Sequence, residues 1–376
     1  MQLPLFLLFL GAMLCAKSSY CLSRDGKEAA ALKRDIFVPP NSNMPVFKIE
    51  EDNPDLPDEV HAEIRRRMGE AFNDMLTMAG FACATFSPTE PVYLRYFGEQ
   101  GGSYPSLVHS FICSIAGYDD PSTCNVLDVT TRPPQVNPKY RKLTIIAGRD
   151  ERLHYEGDEE RDIVPAASTF QDLVDDDITD DPDAAITEIT MRGLDYPGLV
   201  QIINDRGCDA LGPADSGLMT SLGAHLLHEM VHWRFLMRTA ANSAQYDELI
   251  PVLQIIWDGD DPDDGTQEKI MHTIDYTSDA SILLKPNNPP DGYGPANAAQ
   301  LVINNQGDSL QNADNYRWYV VSKYWQWICK RQFDKQDDPD KDDRIIPPES
   351  NGEVPYPGEV LQEQDPPPQA RLFAML

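Results

Sequence analysis

The chain has 376 residues, of which 41% are hydrophobic, and a formal net charge of -30. That length suffices for one large domain or two ordinary ones with a sizeable core. Its negative field argues against nucleic acid and anionic membrane as partners and favours cations and basic peptides.

The chain opens "MQLPLFLLFLGAMLCAKSSYCLS", in which Leu3 to Ala16 is an apolar run of signal-peptide length, too short to span a bilayer. Small residues at Ala16, Ser18 and Ser19 offer cleavage sites. The expectation is a signal peptide over 1–18, export, and then a flexible segment or short propeptide over 19–44 that carries the dibasic step Lys33-Arg34. Of the seven cysteines, Cys15 falls in the leader, leaving Cys21, Cys83, Cys113, Cys124, Cys208 and Cys329. An even set in an exported chain suggests disulfides, with Cys113–Cys124 the natural local pair.

Asp58 to Ala79 reads as an amphipathic helix, because Val60, Ile64, Met68, Phe72 and Leu76 recur at helical spacing, with His61 on the polar side. Tyr104 to Ala116 reads as a second helix. "KLTIIAG", Lys142 to Gly148, has the β-branched centre of a strand. Glu156 to Asp183 is loop-like around "DDDITDDPD", and "DGDDPDDG", Asp258 to Gly265, is an acidic loop whose positions do not match a calcium-binding loop. "GPANAAQLVIN" and "NADNYRWYVVSKYWQWICKR" are helical in pattern, the second with Asn312 as N-cap and Asp314 in its first turn. From Asp334 to Leu376 the chain is rich in Asp and Pro and loses periodicity, so one domain over 45–333 with a flexible tail over 334–376 is expected.

The chemistry concentrates in "LGAHLLHEMVHWRFLM", Leu222 to Met237. His228 and His232, four apart, share one helix face and can bind one Zn²⁺. Glu229, next to the first ligand, can take the proton of a water that the metal acidifies. His225 shares the face but lies about 10.5 Å along the axis from His232, too far for all three rings to reach one ion. It is expected to line the cleft or to support a ligand. The metzincin continuation is absent, since Phe235 and Arg238 stand where Gly and His would be. The third ligand therefore comes from elsewhere, with Glu248 and the aspartates after the acidic loop as candidates.

Four stretches in order, "LLHEMVH", "HTIDY", "DGYGPANA" and "NADNYRWYV", resemble the aspzincin metalloendopeptidases. This is the family of deuterolysin, the peptidyl-Lys metalloendopeptidases and their fungal secreted relatives. The resemblance spans roughly Ser216 to Trp327. It implies a zincin-like α+β fold, helix-rich with a small sheet. It also implies Asp275 as third zinc ligand and Tyr293 as the phenol that hydrogen-bonds the developing oxyanion, with Asp291 as the rival ligand. The family's Asp and Tyr-Gly sit three residues apart, whereas here "TSDASILLKPNNPPDG" separates them.

The reading that follows is a secreted, monomeric zinc endopeptidase acting on protein or peptide substrates. Glu229 is its base and Tyr293 its oxyanion donor, and basic residues, Lys above all, are favoured at the cleavage site. "KLTIIAG" is the strand expected beside the cleft. The competing reading is a secreted zinc-binding protein on the same scaffold, without turnover, for zinc capture or interaction with a host protein. Glu229 favours the enzyme, since capture needs only the ligands, and the split Asp/Tyr-Gly motif favours the binder.

Overall fold

The computed structural model describes residues 43–49, 58–99, 101–132, 134–147, 167–171, 187–191, 194, 196–250, 253–257, 267–271, 292–304 and 306–335. The leader, the 19–42 stretch with Lys33-Arg34 and Cys21, the acidic loop at 258–265, and the tail from 336 onward lie outside them. In chain order the elements are strand β1 (Val46–Ile49), helices α1 (Asp58–Ala84), α2 (Pro91–Phe97), α3 (Tyr104–Ile115) and α4 (Val126–Thr131), and strands β2 (Leu143–Ala147), β3 (Ala167–Gln171) and β4 (Thr187–Met191). Then come α5 (Leu199–Asp205), α6 (Gly207–Ala210), α7 (Leu222–His232), α8 (Arg234–Met237), α9 (Ser243–Leu249), the strands β5 (Leu253–Trp257) and β6 (Gln267–Met271), α10 (Gly294–Asn304) and α11 (Ala313–Cys329). The architecture is α+β and helix-rich.

Helix α1 begins at Asp58, with Asp58 and Glu59 placed to complement its dipole. It runs on to Ala84 rather than stopping at Ala79, because Phe81, Ala82 and Cys83 extend the buried face built by Ile64, Met68, Phe72 and Leu76. Against α1 pack α3, α7 and α11, so the core is a helical layer with the sheet at one side. Rings fill the space between α2, α3 and α11: Tyr93, Phe97, Phe111, Tyr316 and Tyr319 meet mostly edge to face.

The main sheet has the order β1-β2-β4-β3. β1, β2 and β4 run parallel, and β3 joins β4 antiparallel at the edge, with Thr169 opposite Ile189. Two sequence expectations change here. "KLTIIAG" does form a strand, β2, but its apolar run suits a central position between β1 and β4, with no open edge. The edge strands are β1 and β3, of which β3 packs on α7 and lies inside the stretch read as loop. Its five residues between acidic runs were too few to register as a period. The acidic loop likewise connects two unanticipated strands, since β5 and β6 form an antiparallel hairpin.

The cysteine expectation is also corrected. Cys113 bonds Cys83 across α3 and α1, and Cys208 bonds Cys329 at the end of α11. Cys124 remains a buried free thiol that donates weakly to the Gly80 carbonyl, and burial pushes it up to about 12. Among the described residues no helix is long and apolar enough to cross a membrane. The packed unit extends through Phe333, fully buried, and Asp334, whose carbonyl accepts the Asp215 N–H.

Candidate metal centre

Helix α7 is set by its ends and by one glycine. The Ser221 hydroxyl accepts the Ala224 N–H at 3.2 Å and caps the first turn. A Cβ at Gly223 would lie 2.6 Å from the Asp74 Cβ and 2.8 Å from the Ala71 carbonyl oxygen, so only glycine lets α7 lie this close to α1. The helix stops where Trp233 leaves helical backbone, at φ -82 and ψ 91, and turns its N–H back to Met230. The motif residues thus sit on a short, firmly wedged helix, with His228 2% and Glu229 6% exposed.

The two histidines meet at their Nε2 atoms, 3.2 Å apart. The Nδ1 of His228 lies 2.7 Å from the Asp314 carboxylate, which can only accept, so Nδ1 carries the proton. With the ring neutral, its lone pair is on Nε2, turned toward His232. Burial would raise the acid of Asp314, but the Arg317 guanidinium, His228 and the Gly294 N–H outweigh it and hold the carboxyl well below the usual carboxylate range. Zinc–nitrogen bonds of about 2.0–2.1 Å in tetrahedral array put two ligand nitrogens roughly 3.3 Å apart. The 3.2 Å spacing and the fixed tautomer of His228 fit such an ion.

Asp314 carries a role that the sequence reading missed. Its Oδ1 takes His228, while its Oδ2 accepts the Gly294 N–H at 2.6 Å. Asn312 and Asn315 work beside it. Asn312 holds the N-cap position, but its side chain makes no capping bond and donates instead to the Gly292 carbonyl at 2.9 Å. Asn315 donates to the Ala298 carbonyl at 2.9 Å. "NADNY" on α11 therefore grips "DGYGPANA" at three points. Tyr293 lies between two of them, its ring centroid 5.5 Å from that of His228. Three buried polar residues beside the apolar "YRWYVV" were the available signal, because buried polar groups need partners.

Glu229 is reached from β3. The Thr169 hydroxyl lies 2.7 Å from Glu229 Oε2 and 3.1 Å from the Glu229 carbonyl oxygen. His225 packs against Tyr196, the rings tilted by 56° with centroids 4.2 Å apart. Burial, with Arg317 and His228 nearby, pushes it well below the usual imidazole range. His225 thus packs one turn away from the His228–His232 pair. Glu248 is exposed near the end of α9. Asp275 and Asp291 lie outside the described residues.

Among the described residues one other cluster has ligand-type side chains: Cys83, His109 and Cys113, with ligand atoms within 4.8 Å of one another. Its sulfurs are bonded to each other, so neither is a thiolate donor, and His109 Nε2 donates to the Cys83 carbonyl at 2.9 Å. In comparisons with protein-family models, curated proteins and solved structures, nothing matches this chain.

Proposed function

We propose that the chain is a secreted zinc-dependent endopeptidase of the aspzincin type, on a zincin-like scaffold. The observation that carries this reading is the pair of imidazole nitrogens 3.2 Å apart with Glu229 as the next residue. His228 and His232 would hold the ion, with Asp275 as third ligand by resemblance. Zinc held there would supply a Lewis acid for the scissile carbonyl and lower the pKa of a bound water to about 7. Glu229 accepts the proton of the attacking water and returns it to the leaving amine. Tyr293, beside His228, donates a hydrogen bond to the oxygen that gains charge. Asp314 keeps His228 in the tautomer a metal needs.

Substrates on this reading are proteins or peptides with a basic residue, Lys above all, at the cleavage site. The net charge of -30 and the peptidyl-Lys relatives in the resemblance support that preference. The enzyme acts as a monomer, apart from nucleic acid and membrane. Export is supported by the apolar leader and by two disulfides, which persist in oxidising compartments. The second reading, zinc binding without turnover, rests on the split Asp/Tyr-Gly motif. Against it stands Glu229, which zinc capture does not require.

A mixed peptide library with mass-spectrometric readout separates the two. Zinc-loaded wild type, with any pro-segment removed, is expected to cut peptides that Glu229→Gln spares, while both proteins hold equal zinc. No Glu229-dependent cleavage at full zinc loading would leave the binding protein. Stoichiometric zinc in a His228→Ala/His232→Ala double variant would remove the site.

A further inference from the structure

We infer that Thr169, on the edge strand β3, is a positioning residue for the Glu229 carboxylate; the inference rests on the endopeptidase reading. A threonine hydroxyl has one proton to give. Its shorter contact, 2.7 Å, is to Glu229 Oε2, and the Glu229 carbonyl oxygen at 3.1 Å is the weaker second acceptor. A bond to a charged acceptor is the stronger kind. With Oε2 held, rotation of the carboxylate is restrained and Oε1 is the oxygen left to accept from a water. General-base transfer needs heavy atoms within hydrogen-bond reach and aligned, so a carboxylate that rotates loses rate without losing substrate.

The backbone contact has its own cause. The Glu229 carbonyl belongs to the last turn of α7, and the Trp233 N–H that would have met it goes to Met230 instead. One hydroxyl thus ties the edge of the sheet to both the main chain and the side chain of the proposed base. β3 is pinned by its register with β4, Thr169 opposite Ile189, and a β-branched residue suits that position. The anchor is a strand, not a loop, so it can set the carboxylate's direction closely.

The test uses the full chain in four forms: wild type, Thr169→Val, Thr169→Ser and Glu229→Gln, assayed on one peptide from the library. Thr169→Val is expected to lower kcat about tenfold or more, with KM within about twofold and zinc content unchanged. Thr169→Ser, which keeps the hydroxyl, is expected to restore most of the rate. Thr169→Ala is read in place of valine if the latter does not fold. A second readout needs no turnover: Thr169→Val should lower the Tm of zinc-free protein more in the wild-type background than in Glu229→Ala. Active wild type with unchanged kcat in Thr169→Val overturns this inference alone. So does an equal loss of Tm in both backgrounds, which would assign the hydroxyl to the backbone carbonyl. Wild type without Glu229-dependent turnover overturns the endopeptidase reading, and the positioning role falls with it.

Discussion

His228 donates its Nδ1–H to the Asp314 carboxylate across 2.7 Å, joining residues from α7 and α11 that are 86 apart in sequence. The bond decides which nitrogen of His228 can meet a cation. Asp314→Asn removes the charge that holds the proton and leaves one amide oxygen for three donors, His228, Arg317 and the Gly294 N–H. Loss of such a supporting partner typically costs about 10–100-fold in metal affinity. A zinc-competition titration of the variant should show a loss in that range, and unchanged affinity would remove His228 from the ligand set. Chelation should lower the Tm of wild type, because a ligand that binds only the folded state stabilises it.

On the endopeptidase reading, Tyr293→Phe should keep zinc and slow cleavage, because the phenol would act on charge that develops only in the transition state. The expected pattern is a lower kcat with little change in KM, read by steady-state assay on one peptide. A raised KM at unchanged kcat would make Tyr293 a substrate contact instead.

Gly223→Ala tests the wedge of α7 against α1. The added methyl would sit 2.6 Å from the Asp74 Cβ and 2.9 Å from the Met75 nitrogen, and two helices must part to admit it. Overpacking of this kind typically costs about 1–3 kcal/mol. Urea denaturation should show the loss as a lower midpoint at unchanged slope, together with weaker zinc binding as α7 shifts.

Asp74 predicts a pH dependence. Burial, helped by the nearby charge of Glu70, pushes its carboxyl from an ordinary 3.8 up to about 7, against the opposing pull of the Leu199 N–H and Arg67. Between those values the folded chain holds a proton that the unfolded chain has released. Unfolding then sheds a proton, so this group's contribution to stability falls as pH rises from about 4 to about 7 and levels off above. Asp74→Asn, which keeps an oxygen for the Leu199 N–H, should lack that slope. Melting curves of the two proteins across the window should diverge in favour of the variant as pH rises.

The disulfides predict a ranking. The Cys208–Cys329 bond closes 121 residues and the Cys83–Cys113 bond closes 30. Chain-entropy estimates give about 5 and about 4 kcal/mol respectively. Cys208→Ala/Cys329→Ala should therefore lose the more Tm. Peptide mapping should recover both pairs, and Cys124 should resist alkylation until the chain unfolds, since a buried thiol yields little thiolate.

The sequence made the motif helix legible because His228, Glu229 and His232 need only helical periodicity to be brought together. Helix α1 was legible for the same reason, in its start and its face, and its end was missed by five residues because Gly80 interrupts the apolar pattern. Thr169 was not legible: it reaches Glu229 only through the pairing of β3 with β4, a contact between distant segments that local patterning does not encode. Asp314 was seen as a first-turn acid, the local reading, when its partners are His228, Arg317 and Gly294. The cysteine pairing failed similarly, since proximity in sequence favoured Cys124, whereas the packing of α3 on α1 chose Cys83.

The grip of Asn312, Asp314 and Asn315 on Gly292, Gly294 and Ala298 has a consequence for how this chain can vary. The returning strand of chain is fastened after it arrives, by bonds that make no reference to the route it took from Met271. For these three bonds the length of that route is close to neutral. Closing a longer excursion costs only about 0.6 kcal/mol for each doubling, and the phenol of Tyr293 is delivered to the same place. A longer or shorter path between Met271 and Gly292 would leave the three bonds, and the ring of Tyr293 beside His228, where they are.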